Sequence, residues 1–383
     1  MKSSLISKRV LWYLSVVLSA EFRFTTIKLV SVDVHTEFSQ EDSHKSTPLV
    51  SAASSLEILP GSTDLFMVDD VRPHLYTISM DSSPTVKARA LLDERKIPRH
   101  DVKRYKPDFE SLASIDTDTL LALQSGSTPR RECGVFFSLP DKVVPANFSA
   151  LFQRFRALSS MEKEDFNIEG LTVLENGRML FGNRGNGPSK RDVIWAVDGF
   201  SQKHVLAPPQ GISNLDSSKL SIVAHEVFLP QLTRATENAP WTPVRVRSGS
   251  YDSESKRCSP SRNCVQLTLT DMCDLGETGL LLSVAAELTE STYEDGDVVS
   301  SGFVLLDPKT FQTTHLWLID TESSSILPPK IEGVVAVQTF PQVPEFSRCS
   351  RSDASVRTTR FLAVNDPDDP EMSFSLFCGE LPM

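Results

Sequence analysis

Ile168-Glu169-Gly170-Leu171 opens a run to Leu174 that reads as a strand, followed by the turn Glu175-Asn176-Gly177 and a second strand, Met179 to Phe181. The same opening recurs as Phe109-Glu110-Ser111-Leu112 and as Ile331-Glu332-Gly333-Val334. Each copy sets a carboxylate between apolar residues at the start of a strand, then leads through a second strand to a polar loop. A supersecondary unit that recurs at a near-constant spacing decides the architecture.

Working outward, alternation at period two dominates and helical periodicity is scarce. Leu56 to Leu59, Leu65 to Val68 and His74 to Ile78 give an earlier copy of the unit, and Gln266 to Thr270, Leu280 to Ala285 and Gly302 to Leu306 a later one, with Asp271 trailing its first strand. The last copy runs through Ile331 to Val337, Arg360 to Val364 and Ser373 to Phe377. Glu57 to Glu110 is 53 residues, Glu110 to Glu169 is 59 and Asp271 to Glu332 is 61, whereas Glu169 to Asp271 is 102. The long gap holds room for a degenerate copy, with Leu220 to Ala224 and Glu226 to Leu229 as its strands. Six units of about four strands predict an all-β fold, a six-bladed β-propeller. Pairing Phe22–Val32 with Ser373–Leu381 closes the ring and removes exposed sheet edges. A single domain over 21–383 is expected, with a loop at 33–50 and loop insertions at 233–263 and 338–356. One helix is predicted, Phe148 to Leu158, on the stripe Phe148, Leu151, Phe152 and Phe155.

Composition narrows the partners. A net charge of −11 over 383 residues argues against nucleic acid or an anionic membrane surface. Residues 1–20 read either as a signal peptide, with Lys2, Lys8 and Arg9 before a short apolar run, or as a first strand. The chain is secreted on the first reading and cytoplasmic on the second. No segment is long enough to span a bilayer. Six cysteines are too few for a disulfide scaffold, and Cys258 and Cys264 are the pair best placed to bridge. A monomer is expected.

In equivalent units the motif acids share a place near the innermost strand. Glu110 to Ser125 and Glu169 to Arg184 are 15 residues and Asp271 to Glu287 is 16, so the loop ends share another: Asp69-Asp70, Ser125-Gly126-Ser127, Arg184-Gly185-Asn186, Ala286-Glu287 and Asp366 to Asp369. Glu110, Glu169, Asp271, Glu287 and Glu332 are therefore candidate metal ligands, and Arg131, Arg184, Asn186 and Lys330 candidate ligand-binding residues. Converging carboxylates repel and need a cation, basic partners or protonation. Ca2+ takes oxygen ligands from several segments and suits such a ring. Equally, Lys330, Arg131 and Arg184 can neutralise it without metal, leaving the acids to hold the blades in register. The Gly-rich Gly182 to Ser189 loop imitates a phosphate cradle but has Pro188 where its lysine belongs. No nucleophile elbow, metalloprotease helix or dinucleotide fingerprint occurs.

Ser125 to Arg131, Asn167 to Gly170, Arg184 to Asn186, Thr270-Asp271, Ala285 to Glu287, Thr292 to Gly296, Lys330 to Gly333 and Asp366 to Pro370 resemble, in this order, a family of bacterial proteins known as a domain of unknown function. That family is akin to phytase-like and esterase-like β-propellers. The resemblance spans roughly residues 54–381 and implies a propeller, without an activity to carry over. Asn365 departs from the Asp common in the pattern. Two functions follow as expectations. One is a metal-dependent phosphoesterase or related hydrolase, with Glu169, Glu332, Glu287 and Asp271 on the ion and Arg131 and Arg184 on a small-molecule anion. The other is a non-catalytic propeller that binds a ligand or protein partner.

Overall fold

A computed structural model of the chain describes residues 23–27, 29–32, 50, 52–80, 85–93, 105–201, 203, 205–206, 212–236, 241–244, 263–288, 296–319, 328–338, 346, 349, 358–366 and 374–382. The fold is mostly β, with one α-helix, Ser149–Ser159, among the described residues. Strands near the axis are buried on both faces, as Thr119–Gln124, Met179–Asn183 and Leu280–Glu287 are throughout, while outer strands such as Thr85–Ala90 and Ser221–Val227 are exposed or half-buried over most of their length. The candidate leader over 1–20 and most of the 33–50 loop lie outside the described residues.

Five mainly antiparallel sheets each begin with an inner strand: Ala53–Ile58, Phe109–Asp116, Ile168–Val173, Thr268–Asp274 and Lys330–Val337. Each inner strand lies beside the next, and the fifth lies beside the first, so the five run around a common axis. Five buried apolar clusters tell the same story, one between each pair of neighbouring sheets. Trp195 and Phe166 fill the space between the second and third, for example, and Phe303 and Phe361 that between the fourth and fifth.

The expected sixth unit is not found among the described residues. Ser221–Val227, which the spacing assigned to a degenerate copy, pairs with Asp192–Asp198 as the outer strand of the third sheet. The rest of the gap holds a small separate sheet of Gln231–Thr233, Thr242–Val244 and Cys264–Gln266, which supplies no inner strand. Alternation marks a strand but not its distance from the axis, so an outer strand and an insertion imitated a unit. Part of the 233–263 insertion is thus strand rather than loop. The 338–356 insertion is tied down as well: Phe346 and Cys349 are buried, and Cys349 forms a disulfide with Cys378. Cys264 is disulfide-bonded, while Cys258, its expected partner, lies outside the described residues.

The N-terminal segment closes two sheets rather than one. Val30–Val32 pairs antiparallel with Leu376–Pro382 in the fifth sheet, as the closure argument expects. Arg23–Ile27 instead lies parallel to Thr313–Ile319 at the edge of the fourth.

One irregularity recurs in all five inner strands. Near the N-terminal end, pairing with the second strand slips by one residue, leaving Ser54, Glu110, Glu169, Thr270 and Glu332 unpaired in a β-bulge. Beyond the bulge, side chains of one inner strand accept backbone N–H bonds from the next. Leu112 N donates to Ser55 Oγ (3.1 Å), Ser114 N to Glu57 Oε2 (3.0 Å) and Val334 N to Asp271 Oδ2 (3.0 Å). Gly333 permits the closest approach, since a Cβ there would sit 3.0 Å from Leu56 N.

The helix plugs the wedge between the second and third sheets, burying Leu151, Phe152 and Phe155, with Phe155 stacked on Trp195 at 4.8 Å. This aromatic block supports the 125–131 loop. Gly126 has φ +71°, and a Cβ would meet Phe166 at 2.6 Å and Phe152 at 2.8 Å. Gly126→Ala is therefore expected to destabilise the fold by roughly 1–3 kcal/mol. Urea denaturation checks this, and an unchanged midpoint would contradict the packing described.

Candidate functional site

Four of the bulge residues, Ser54, Glu110, Glu169 and Glu332, face the axis, and the ends of the second strands reach the same level. Together they enclose a polar cavity of about 60 Å³. At roughly 10–15 Å³ per water, this holds only a few water molecules or one small ion. Three bulge acids, Glu110, Glu169 and Glu332, line it with Ser54. Residues two places earlier on the same strand faces add Asp108, Asn167 and Lys330, and the second-strand ends bring Asp70, Arg131, Arg184 and Asn186.

The charges form two linked groups. Arg184, 3% exposed, stands 3.1 Å from Glu169 Oε2, 2.7 Å from Glu287 Oε1 and 3.8 Å from Glu332 Oε1. Lys330 Nζ bridges Glu332 Oε1 (2.9 Å) and Glu287 Oε1 (3.4 Å). Asn167 Nδ2 adds a hydrogen bond to Glu169 Oε1 at 2.6 Å. On the opposite side, Lys106 Nζ pairs with Asp70 and lies 3.2 Å from Asp108 Oδ1, whose other oxygen takes Arg131 Nη1 at 2.9 Å. Asp108 holds this position with φ +60°, a left-handed conformation that Asp tolerates better than most residues.

Of the nine candidate site residues, eight converge here. Arg131, Arg184, Asn186, Lys330, Glu110, Glu169 and Glu332 line the cavity, and Glu287 joins them through Arg184 and Lys330. Asp271 does not. Thr270 is the bulge residue of the fourth strand, so Asp271 one place later points the other way, buried against Val334 N and Ser55 Oγ. Its role is the register between sheets. Glu57 is displaced from the first sheet's bulge in the same manner, where Ser54 stands instead. Lys106 and Asp108 were missed by sequence reasoning. Asp108 carried a signal, the position two residues before a bulge that Asn167 and Lys330 share; Lys106, four residues before the bulge, carried none.

Among the described residues seven carboxylates (Asp70, Asp108, Glu110, Glu169, Glu287, Glu332 and Asp366) thus meet four bases (Lys106, Arg131, Arg184, Lys330). Glu110 is left without a base within ion-pair distance among the described residues. Burial and then the charges of Asp108, Asp70 and Glu169 hold its carboxyl well above the usual range. Asp70, Asp108 and Glu110 each bring an oxygen within 4.8 Å of the others. Burial likewise pushes Glu169 up to about 8, against the pull of Arg184.

Such a shift has a definite sign. A carboxyl that titrates higher in the folded chain than its ordinary 4.5 binds more protons when folded, so its stabilisation is complete below that value and is lost as pH rises through about 8. Glu57 and Asp69, both raised by burial to about 7, act in the same direction. The melting temperature is expected to fall between about pH 5 and about pH 8, and Glu169→Gln to flatten part of that fall. Melting curves across this range check it; a rising Tm would contradict the protonation described.

Comparison with known proteins adds the following. Residues 49–237 match the model of a "Family of unknown function (DUF6929)" and residues 259–370 that of a "Family of unknown function (DUF6910)". Neither description carries the phytase-like or esterase-like kinship suggested by the motifs. No curated protein matches the chain. Among solved structures, the chain is similar to a glutaminyl cyclase from Myxococcus xanthus, at 12% identity and a TM-score of 0.42, over 95% of this chain and 100% of that one. It is also similar to regucalcin, a calcium-binding protein from Agrobacterium tumefaciens, at 10% identity and TM-score 0.39, over 92% and 94%. A gluconolactonase from Xanthomonas campestris matches at 10% identity and TM-score 0.37, over 93% and 98%.

Proposed function

We propose that the chain is a five-bladed β-propeller that binds a divalent cation in its axial cavity, without catalysing a reaction there. The observation that carries this reading is a surplus of buried oxygen. Beyond the excess of carboxylates over bases, Asp70 Oδ1, Asn186 Oδ1 and Glu332 Oε2 are buried without a hydrogen-bond donor among the described residues. A cation seated beside Asp70 would meet the first of these needs and add positive charge near the other two, and carboxylate oxygens favour a hard ion such as Ca2+. Asp70, Asp108 and Glu110 are the ligands this reading assigns, with Lys106 turning away as the ion enters. The Lys106 ammonium, paired with Asp70 and Asp108, fills the cation's electrostatic role meanwhile.

The phosphoesterase reading has less support. Arg131, Arg184 and Lys330, the residues expected to hold an anion, are already engaged by carboxylates at 2.7–3.4 Å. A phosphate would have to displace those partners inside a cavity whose carboxylates outnumber its bases. A six-bladed ring is likewise less supported than a five-bladed one, because five inner strands already neighbour one another around the axis.

Thermal melting in Ca2+ tests the reading. Weak protein sites have Kd near 10⁻⁴–10⁻³ M, so about 10 mM Ca2+ populates even these. Tm is expected to rise with the ion and return with chelator, the gain reaching about 2.7 kcal/mol at a hundred times Kd. Glu110→Gln is expected to weaken binding at least about tenfold, and Lys106→Met to strengthen it by removing the competing ammonium. No response in either the parent chain or Lys106→Met would sink the proposal.

A further inference from the structure

The opposite end of the axis carries a second site, independent of the cation reading. Where the inner strands finish, they splay around an open cleft of about 1010 Å³, at the top of the range for small-molecule sites. Ile58, Ile115, Val173 and Val335 give it an apolar wall. Among the described residues, the charged ones that line it are Glu57, Asp116, Glu175 and Asp274, with no Lys, Arg or His.

These carboxylates differ from those of the axial cavity in a decisive respect. None has an ion-pair partner among the described residues, whereas the cavity acids are mostly matched with Lys or Arg. Asp116 and Glu175 are exposed on the rim. Asp274 is half-buried and accepts Glu175 N at 3.2 Å and Gly276 N at 3.0 Å, which fixes its carboxylate in place. Glu57 is held in the same way by Ile58 N (2.8 Å) and Ser114 N (3.0 Å). Arg178, the base next in sequence to this rim, is turned outward by a two-pronged pair with Asp198 at 2.8 and 3.0 Å. A concave, low-dielectric wall bearing one sign of charge concentrates counter-ions of the other sign.

We propose that this cleft binds a small organic cation, an ammonium group carried on an apolar body. The carboxylates select the charge, and the apolar wall takes the body. No Phe, Tyr or Trp is among the described residues that line the cleft, so these offer no aromatic cage of the kind that favours quaternary ammonium. A primary amine, which can donate to the carboxylates, is the better fit.

Isothermal titration with a matched set of probes tests this: phenylbutylamine, the neutral phenylbutanol and the anionic phenylbutyrate. The measurement uses the full chain with chelator present and repeats it on Glu110→Gln, so a failed cation site and a failed cleft give separate results. The amine is expected to bind at least about tenfold more tightly than the alcohol, and more weakly as salt is raised; the acid is expected not to bind. The double variant Asp116→Asn, Glu175→Gln changes two exposed rim positions. It is expected to bring the amine down to the alcohol's affinity and leave the alcohol unchanged. Equal affinity for amine and alcohol, no binding by the amine, or an unaffected double variant would each overturn the proposal.

Discussion

One backbone feature organises the molecule: a single extra residue near the start of each inner strand. In a regular strand, side chains alternate between the two faces of the sheet, and both faces here are packed against apolar clusters. The bulge releases one residue per sheet from that alternation and, in four of the five, turns it toward the axis. Glu110, Glu169 and Glu332 reach the axis for this reason, whereas an acid one place later, as at Asp271, faces the neighbouring sheet and must be held there by hydrogen bonds. Where the released residue is Ser54 or Thr270, the ring has a neutral gap, and the charge is concentrated on the second, third and fifth sheets.

The cost of bringing so many acids together is met differently at the two ends of the axis. In the axial cavity, Arg184 and Lys330 share Glu169, Glu287 and Glu332, and Lys106 and Arg131 share Asp70 and Asp108. Breaking any of these pairs would strand a buried charge, so the bases are poor candidates for capturing an outside anion. Between the two ends, Glu57 and Asp271 fix the spacing of adjacent strands through backbone N–H groups. At the wide end, acids stand on an apolar wall with no base among the described lining residues. The same residue type therefore serves three purposes, set by its depth along the strand.

Much of the cavity was legible in the sequence because Glu110, Glu169 and Glu332 mark the same phase of a repeat. Counting forward from Glu169 located Arg184 and Asn186 at a second-strand end, and the count from Asp271, one residue out of phase, still reached Glu287. The count failed where the phase marker was not an acid. With Ser54 and Thr270 at the bulge, the nearest acids, Glu57 and Asp271, were taken for equivalents and lie on other levels. Strand alternation carries no record of a one-residue slip, so only pairing partners reveal it. The sixth unit failed on related grounds, because Ser221–Val227 has the pattern of any strand and its place at the sheet edge depends on what it pairs with. Lys106 escaped notice because it precedes the inner strand and reaches Asp70 through the fold alone.

The most direct measurement of the central claim, that bulge acids converge to hold a cation, is anomalous scattering from crystals soaked in strontium. The account predicts a peak on the axis within coordination distance of Glu110, Asp70 and Asp108, with Lys106 displaced from their carboxylates. A cavity without a peak, Lys106 still seated between Asp70 and Asp108, would contradict it.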